Sequence, residues 1–276
     1  MKKMSLMEIL DETRVYDKSY YTHVSMGEVK GCFCIGRNKH EKLYDSLNKE
    51  SHSLAEVPQL IMPLLVDIDL KIPSDGDKDS MIIRLYTEYQ LESVVRDYQQ
   101  VIETVVKDYR KEHSMCFVLE KPAYSIEKNG ITYIKNGFHL HFPYLFLHKD
   151  DIITHIFPRV RNLLNKSKAF KNLGFENAGD DLLDTDCIRN PWLMYGGCKN
   201  NASGVYKLTT IYDYEREVIE LKEALRNYKI YDSNELEIDI SGKEEKYLNR
   251  VLSIIPLVQR SFRTKTKFTN PIIKPC

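Results

Sequence analysis

The chain lacks several features that would place it quickly. No C-x-x-C pair occurs among its six cysteines, Cys32, Cys34, Cys116, Cys187, Cys198 and Cys276. That argues against a disulfide scaffold and an ordinary zinc ribbon. No G-x-x-x-x-G-K-[ST] loop is present, so no P-loop motor lies in these residues. No apolar run approaches the roughly 20 residues that cross a bilayer. The first residues, "MKKMSLMEILDETRVYD", carry two lysines, but Glu8, Asp11 and Glu12 interrupt any apolar stretch behind them. A secretory signal is not expected there. Excess charge of one sign is also missing, with 40 basic and 40 acidic residues. The chain therefore reads as soluble and intracellular, with no membrane partner.

What is present suffices for a buried core: 276 residues, 42% of them hydrophobic, with no repeat and no low-complexity tract. Short helices are predicted over 5–12 and 38–50, and a strand at "KGCFCIGR". A buried strand is predicted over 61–70, followed by a Pro/Ser/Gly/Asp loop. From Leu91 to Tyr109 apolar residues recur at helical spacing on one face, which is core packing. "MCFVLE" reads as a strand, and Asn129-Gly130 as a hairpin turn. A helix is expected from near Lys149, with Pro158 kinking or breaking it. "PWLMYGG" and "VYKLTTIYDY" read as strands. "EREVIELKEALRNY" and "GKEEKYLNRVLSIIPLVQRSF" read as helices. The mixture predicts an α+β fold in one domain, 1–276. Its core spans 55–215, and 216–276 would form a helical extension with a basic tail. That tail carries Arg260, Arg263, Lys265, Lys267 and Lys274 without an acid. It would touch phosphates or simply be solvated.

Two strands have an unusual face. In "VDIDL", Val66, Ile68 and Leu70 share one side, and Asp67 and Asp69 the other. In "GFHLHFP", Phe138, Leu140 and Phe142 share one side, and His139 and His141 the other. If the strands are neighbours, carboxylates and imidazoles line one surface. Paired carboxylates repel unless a hard cation such as Mg²⁺ or Mn²⁺ joins them. The plain alternative is a polar outer face. A third stretch, "DDLLDTDCIRNPWLMYGGCKNN", adds Asp184 after an apolar pair, then Arg189, Trp192 and Lys199. Three carboxylates and nearby cations suit metal-assisted phosphoryl transfer. Asp180, Asp181 and Asp186 are competing acids there. His23, Cys32, Cys34 and His40 could gather around zinc, although their spacing fits no standard pattern.

In order, "VDID", "GFHLHFP", and "LLD" followed by "RNPWLMYGGCK" resemble the motifs of the archaeo-eukaryotic primase superfamily. More narrowly, they resemble the primase half of the primase-helicases of large nucleocytoplasmic DNA viruses. That family carries a D-x-D pair, a small-x-His and a hydrophobic-Asp, here Asp67 and Asp69, Gly137-Phe138-His139, and Leu183-Asp184. "YGGCK" resembles its Gly-Ser-x-Lys turn, with Lys199 on the lysine and Gly197 where the serine usually stands. The resemblance covers about 55–215. It implies an RNA-recognition-motif-like catalytic sheet beside a smaller N-terminal α/β unit. It further implies template-dependent primer synthesis from nucleoside triphosphates on single-stranded DNA, in viral replication within the host cell. Asp67, Asp69 and Asp184 would ligate two Mg²⁺ or Mn²⁺ ions. His139 would bind the triphosphate, and Lys199 and Arg189 would offset charge. His141 would support the site or be structural, and Lys135 would reach a phosphate or be solvated. The family places a helicase module C-terminal to such a domain.

Two other readings compete. His139-Leu140-His141 also fits the His-hydrophobic-His motif of rolling-circle nicking endonucleases, with Tyr98 or Tyr109 as nucleophile. That leaves the aspartates unexplained. A non-enzymatic single-strand-binding module would not need three carboxylates.

Overall fold

The structure, a computed structural model, describes residues 4–17, 20–27, 29–74, 84–170, 182–199, 204–255, 257–258 and 260–268. In chain order its elements are α1 (Leu6–Thr13), β1 (Arg14–Val15), β2 (His23–Ser25), β3 (Gly31–Phe33), α2 (Arg37–Leu47), β4 (Leu54–Glu56), β5 (Ile61–Pro73), α3 (Glu88–Val105), β6 (Cys116–Glu120), β7 (Tyr124–Lys128), β8 (Ile131–His148), α4 (Lys149–Asp151), α5 (Phe157–Ser167), β9 (Trp192–Leu193), β10 (Lys207–Tyr212), α6 (Leu221–Ala224), β11 (Ile230–Tyr231), β12 (Glu237–Ile238) and α7 (Leu248–Val251). The class is α+β, as the mixed pattern predicted.

The larger sheet has strand order β10-β6-β8-β5, every pair antiparallel, with β7 folded onto β8. Along the chain its elements run β-α-β-β-α-β, with β7 inserted ahead of β8. The β7–β8 turn is Asn129-Gly130, both with positive φ (54° and 75°), the requirement of the tight hairpin turn that Asn-Gly favours. The apolar alternation selects the register. Val66, Ile68, Leu70, Phe138, Leu140 and Phe142 are all fully buried on the rear of the sheet. There they meet Leu91, Val94, Tyr98 and Ile102 of α3, and Val160 of α5.

α3 opens on a capping box: Thr87 N–H donates to Gln90 Oε1 (2.8 Å), and Gln90 N–H to Thr87 Oγ1 (3.3 Å). It stops at Val105, short of the apolar stripe. Val106 turns to extended backbone and pairs with Thr266, so the last stripe residues pack outside the helix. At Pro158 the structure resolves the expected break. A π-helical turn over Ile152–Ile156 lies between α4 and α5, and the proline follows it in the first turn of α5, so the missing N–H falls where the helical hydrogen bonding already changes register.

The smaller sheet runs β1-β3-β2-β4-β9. Its last strand comes from far down the chain: Ala55 pairs with Leu193 and Glu56 with Trp192. The expected helical extension over 216–276 is corrected. Its described residues hold only α6 and α7, of four residues each, two short 3-10 turns and a β11–β12 hairpin. Asp213 Oδ1 accepts from the N–H groups of Glu215 and Glu217, and the turn sends Val218 back to bridge Tyr212. "EREVI" is thereby drawn into pairing with the end of β10, and the helix its periodicity suggested shrinks to the single turn α6.

Candidate active site

The D-x-D strand and the histidine strand are direct neighbours. Asp67 lies opposite His139, and Asp69 opposite Gly137. The third acid arrives by a short bridge on the free edge of β5. Leu183 pairs with Ile68, and Asp184 N–H donates to the Asp67 carbonyl at 3.0 Å. Carboxylate oxygens of Asp67, Asp69 and Asp184 then lie within 4.8 Å of one another. Among the described residues no other such cluster of His, Cys, Asp and Glu occurs. The zinc alternative therefore does not form: His23 is buried beside Glu56 at 4.0 Å.

The structure separates the competing acids. Asp184 caps the short helix Thr185–Ile188 with one oxygen, accepting from Asp186 N–H at 2.8 Å. Asp186 is exposed and pairs with Arg189 at 3.2 Å. Asp180 and Asp181 lie outside the described residues. Arg189 itself is exposed and held by Asp186, so its guanidinium is not brought to the carboxylates.

Asp67 and Asp69 differ in electrostatics. Burial would raise the Asp67 carboxyl, but the His139 imidazole, then Lys135 and Lys199, outweigh it and hold it below the ordinary carboxylate range. Asp69 goes the other way. Burial and the charge on Asp67 push it up, against the pull of Lys135. Lys135 donates to Asp69 Oδ2 at 2.7 Å. Asp67 Oδ1 is 3.4 Å from His139 Nε2, without hydrogen-bond alignment, and is otherwise buried with no donor. A buried acceptor lacking a donor and flanked by two more carboxylates fits the donor set of a hard divalent cation.

His139 is held on both sides. Its ring stacks on Tyr206 (centroids 3.6 Å apart) and lies 4.4 Å from Trp192. Its ring orientation is thus set by packing. His141 is fully buried behind it, and burial, then the neighbouring His139, lowers its pKa to about 3. Burial thus favours its neutral form, and both ring nitrogens are buried without a hydrogen-bond partner. Gly197 also belongs to packing: a Cβ there would meet His52 Cε1 at 2.8 Å, which leaves no room for the family's usual serine without a shift.

A cleft of about 460 Å³ opens beside the acids. Asp69, Asp184, Lys71, Lys128, Lys135 and Arg161 are its charged lining. Arg161 on α5 gave no sequence signal, because the helix that brings it reads as ordinary amphipathic surface. Lys121 was missed too. It lies over Tyr124 (4.7 Å) and Tyr206 (4.4 Å), and burial and then Lys135 lower its pKa to about 8. Lys199 is exposed, and its charge reaches Asp67.

The nicking reading fails on its nucleophile. Tyr98 is fully buried at the rear of the sheet against Phe142, and Tyr109 bonds Ser114 at 2.9 Å.

Comparison with known proteins agrees with the motif order. Residues 22–212 match the family described as the C962R protein N-terminal AEP domain, AEP denoting archaeo-eukaryotic primase. The chain is also similar to "Putative helicase 121R" of Invertebrate iridescent virus 3, with 30% identity over 262 residues, 89% of this chain and 27% of that protein. "Putative helicase 184R" of Invertebrate iridescent virus 6 is 32% identical over 232 residues, 78% of this chain and 24% of that protein. The chain thus spans about a quarter of the length of the curated relatives it matches.

Proposed function

The chain belongs to the C962R-type family of archaeo-eukaryotic primase domains, primase-type nucleotidyltransferases, and we propose that it builds primers on a single-stranded DNA template in viral DNA replication. The observation that carries this reading is the convergence of Asp67, Asp69 and Asp184, whose oxygens lie within 4.8 Å of one another. These three would hold two Mg²⁺ or Mn²⁺ ions. Bound there, the ions supply Lewis-acid chemistry that lowers the pKa of an attacking 3′-hydroxyl and steadies the leaving pyrophosphate.

The remaining work falls to the chain. His139, clamped between Tyr206 and Trp192, offers Nε2 to a phosphate oxygen at the edge of the acid cluster. Lys135, Lys71, Lys128 and Arg161 make the cleft wall cationic, which suits a triphosphate and the charge that builds as its bond breaks. Lys199 adds positive field from the opposite segment. Arg189 contributes least, since Asp186 already holds it. We treat 1–276 as one catalytic domain, because the smaller sheet takes β9 from within the 55–215 core. The helicase names of the longer relatives support a helicase module C-terminal to this domain as its partner.

The test is incorporation of labelled nucleotides on single-stranded template with Mg²⁺ or Mn²⁺. Wild type should extend or initiate strands. Asp67→Ala and Asp69→Ala should each lose about 10²- to 10³-fold, as expected when transition-state charge stabilisation is removed, while still melting as folded chains. Full synthesis by both variants would overturn the assignment.

A further inference from the structure

The basic C-terminal segment is the one motif that the proposed chemistry does not absorb. We propose that residues 260–268, together with Lys107, form a track that binds the phosphate backbone of single-stranded DNA, separate from the carboxylate cleft.

The segment is a fixed strap. Thr264 N–H donates to the Phe146 carbonyl (2.9 Å), Lys107 N–H to Lys265 O (2.8 Å), and Lys267 N–H to Val105 O (2.9 Å). Thr264 Oγ1 donates to Lys107 O (2.9 Å), and Arg110 donates to Ser261 O (2.7 Å). Pinned as extended backbone, "RTKTKF" alternates. Thr266 is buried, while Arg263, Lys265 and Lys267 point outward and are exposed. Residues two apart on a strand stand roughly 6.6 Å apart, so the cations form a regular row. Lys267 spends its charge on the last turn of α3, donating to Thr104 O at 3.0 Å. Arg263, Lys265 and the adjacent Lys107 have no ion-pair partner among the described residues. Arg260, Arg110 and Lys111 extend the positive field, and the acids of the adjoining segments, Glu103, Asp108 and Glu112, are fewer.

Two features favour a single strand over a duplex. The cations lie in one file. The strap also ends on Phe268, 44% exposed, whose ring has the Arg159 guanidinium 4.5 Å and the His155 ring 5.4 Å from its centroid, an aromatic and guanidinium cluster against which an unpaired base can stack. The track is not the nucleotide site. Phe146, where it crosses the sheet, is seven residues beyond His139 on β8, on the order of 20 Å away. Its strap, residues 260–268, also lies outside the residues 22–212 that carry the family match, and only Lys107 and its neighbours fall within them.

Only the word "template" for this strand rests on the proposed primase function; the binding is measurable without synthesis. The experiment is fluorescence anisotropy of labelled oligothymidylate, without metal or nucleotide, across a salt series. Each lost phosphate contact lowers the salt slope by about 0.7 for single strands. Combined Lys107→Ser, Arg263→Ser and Lys265→Ser should therefore flatten log K against log salt by about 2, and weaken binding about 100-fold at about 0.1 M salt. The charge-keeping set Lys107→Arg, Arg263→Lys and Lys265→Arg should bind as wild type, which separates charge from local folding. Wild-type affinity and slope in the serine variant would overturn the track, as would tighter binding of duplex than of oligothymidylate by wild type. Asp67→Ala and Asp69→Ala should keep full strand binding, so undiminished synthesis by both variants would sink the primase reading alone.

Discussion

A single methyl group added at Gly137 tests whether the strand pairing itself builds the site. A Cβ at this position would lie 1.9 Å from the Ile68 carbonyl oxygen, 3.0 Å from its carbon and 3.3 Å from Asp69 Cα. Ordinary contact begins near 3.4 Å, so the backbones must part by about 1.5 Å. The obstacle is main chain, and no side chain can rotate out of the way. Ile68 lies between Asp67 and Asp69, its side chain is fully buried, and Leu183 bridges it. Any displacement that relieves the clash therefore moves both aspartates, and Asp184 with them through its bond to Asp67 O. Overpacking of this kind costs about 1–3 kcal/mol. A misplacement of about 1 Å at reacting groups costs on the order of 100-fold in rate. Gly137→Ala should thus melt a few degrees lower and lose about two orders of magnitude in metal-dependent incorporation. Its control is Gly130→Ala in the β7–β8 turn. There φ is +75° and nothing lies within 4 Å, so the cost is conformational, about 1–2 kcal/mol. That variant should lose similar stability and keep its activity. Wild-type activity in Gly137→Ala, or equal losses in both variants, would refute the reasoning.

Further outcomes follow from the same geometry. His139→Ala should chiefly raise the KM for nucleoside triphosphate, and a fall confined to kcat would contradict its phosphate-binding role. Mn²⁺ at about 100 times its Kd should stabilise wild type by about 2.7 kcal/mol in thermal melts, and Asp67→Ala should lose that stabilisation. Tyr98→Phe removes a buried hydroxyl with no partner, so stability and activity should hold; a covalent DNA adduct lost in this variant would revive the nicking reading. Burial pushes the Glu56 carboxyl up to about 7, against bonds from Ser253 and Ile254 N–H. The folded state keeps this proton while the unfolded chain releases it near its ordinary pKa of 4.5. The contribution is therefore present below pH 4.5 and is lost as pH rises towards 7, by about 3 kcal/mol. The stability gap between wild type and Glu56→Gln should shift in favour of Glu56→Gln over that window and be flat above it.

The parts of the site that follow strand alternation were legible in the sequence. "VDIDL" and "GFHLHFP" each declare a rear and a front, and the pairing of Asp67 with His139 follows once the strands are neighbours. Leu183-Asp184 was legible through motif order, because one bridge to Ile68 suffices to deliver the acid. The smaller sheet was largely illegible. Strands of two or three residues are too short to show a period, and β9 finds β4 only in three dimensions. Lys121, Arg161 and Tyr206 were invisible for a related reason. Each sits at the end of an ordinary strand, on an ordinary helix or in a loop, and acquires its role only from what packs beside it. The C-terminal region misled because its apolar spacing imitates a helix, whereas Asp213 and Asp232 each accept from the N–H groups two and four residues on and turn the chain back on itself.

The register that buries the rear of the sheet also keeps the acids together. Asp67 and Asp69 would repel if placed side by side without help. Their partners come from the paired strand itself: His139 faces Asp67, and the charge of Lys135, opposite Lys71, reaches back to Asp69. A slip of one residue between β5 and β8 would turn one strand over against the other, sending either both aspartates or His139 into the core and exposing Val66 and Ile68 or Leu140 in their place. The desolvation of unpaired charges and the loss of apolar burial both oppose that slip. Hydrophobic alternation, the most elementary signal in these two strands, is thus what holds three chemically demanding side chains at one front, and Asp184 joins them because the edge of β5 leaves a single bridge open to it.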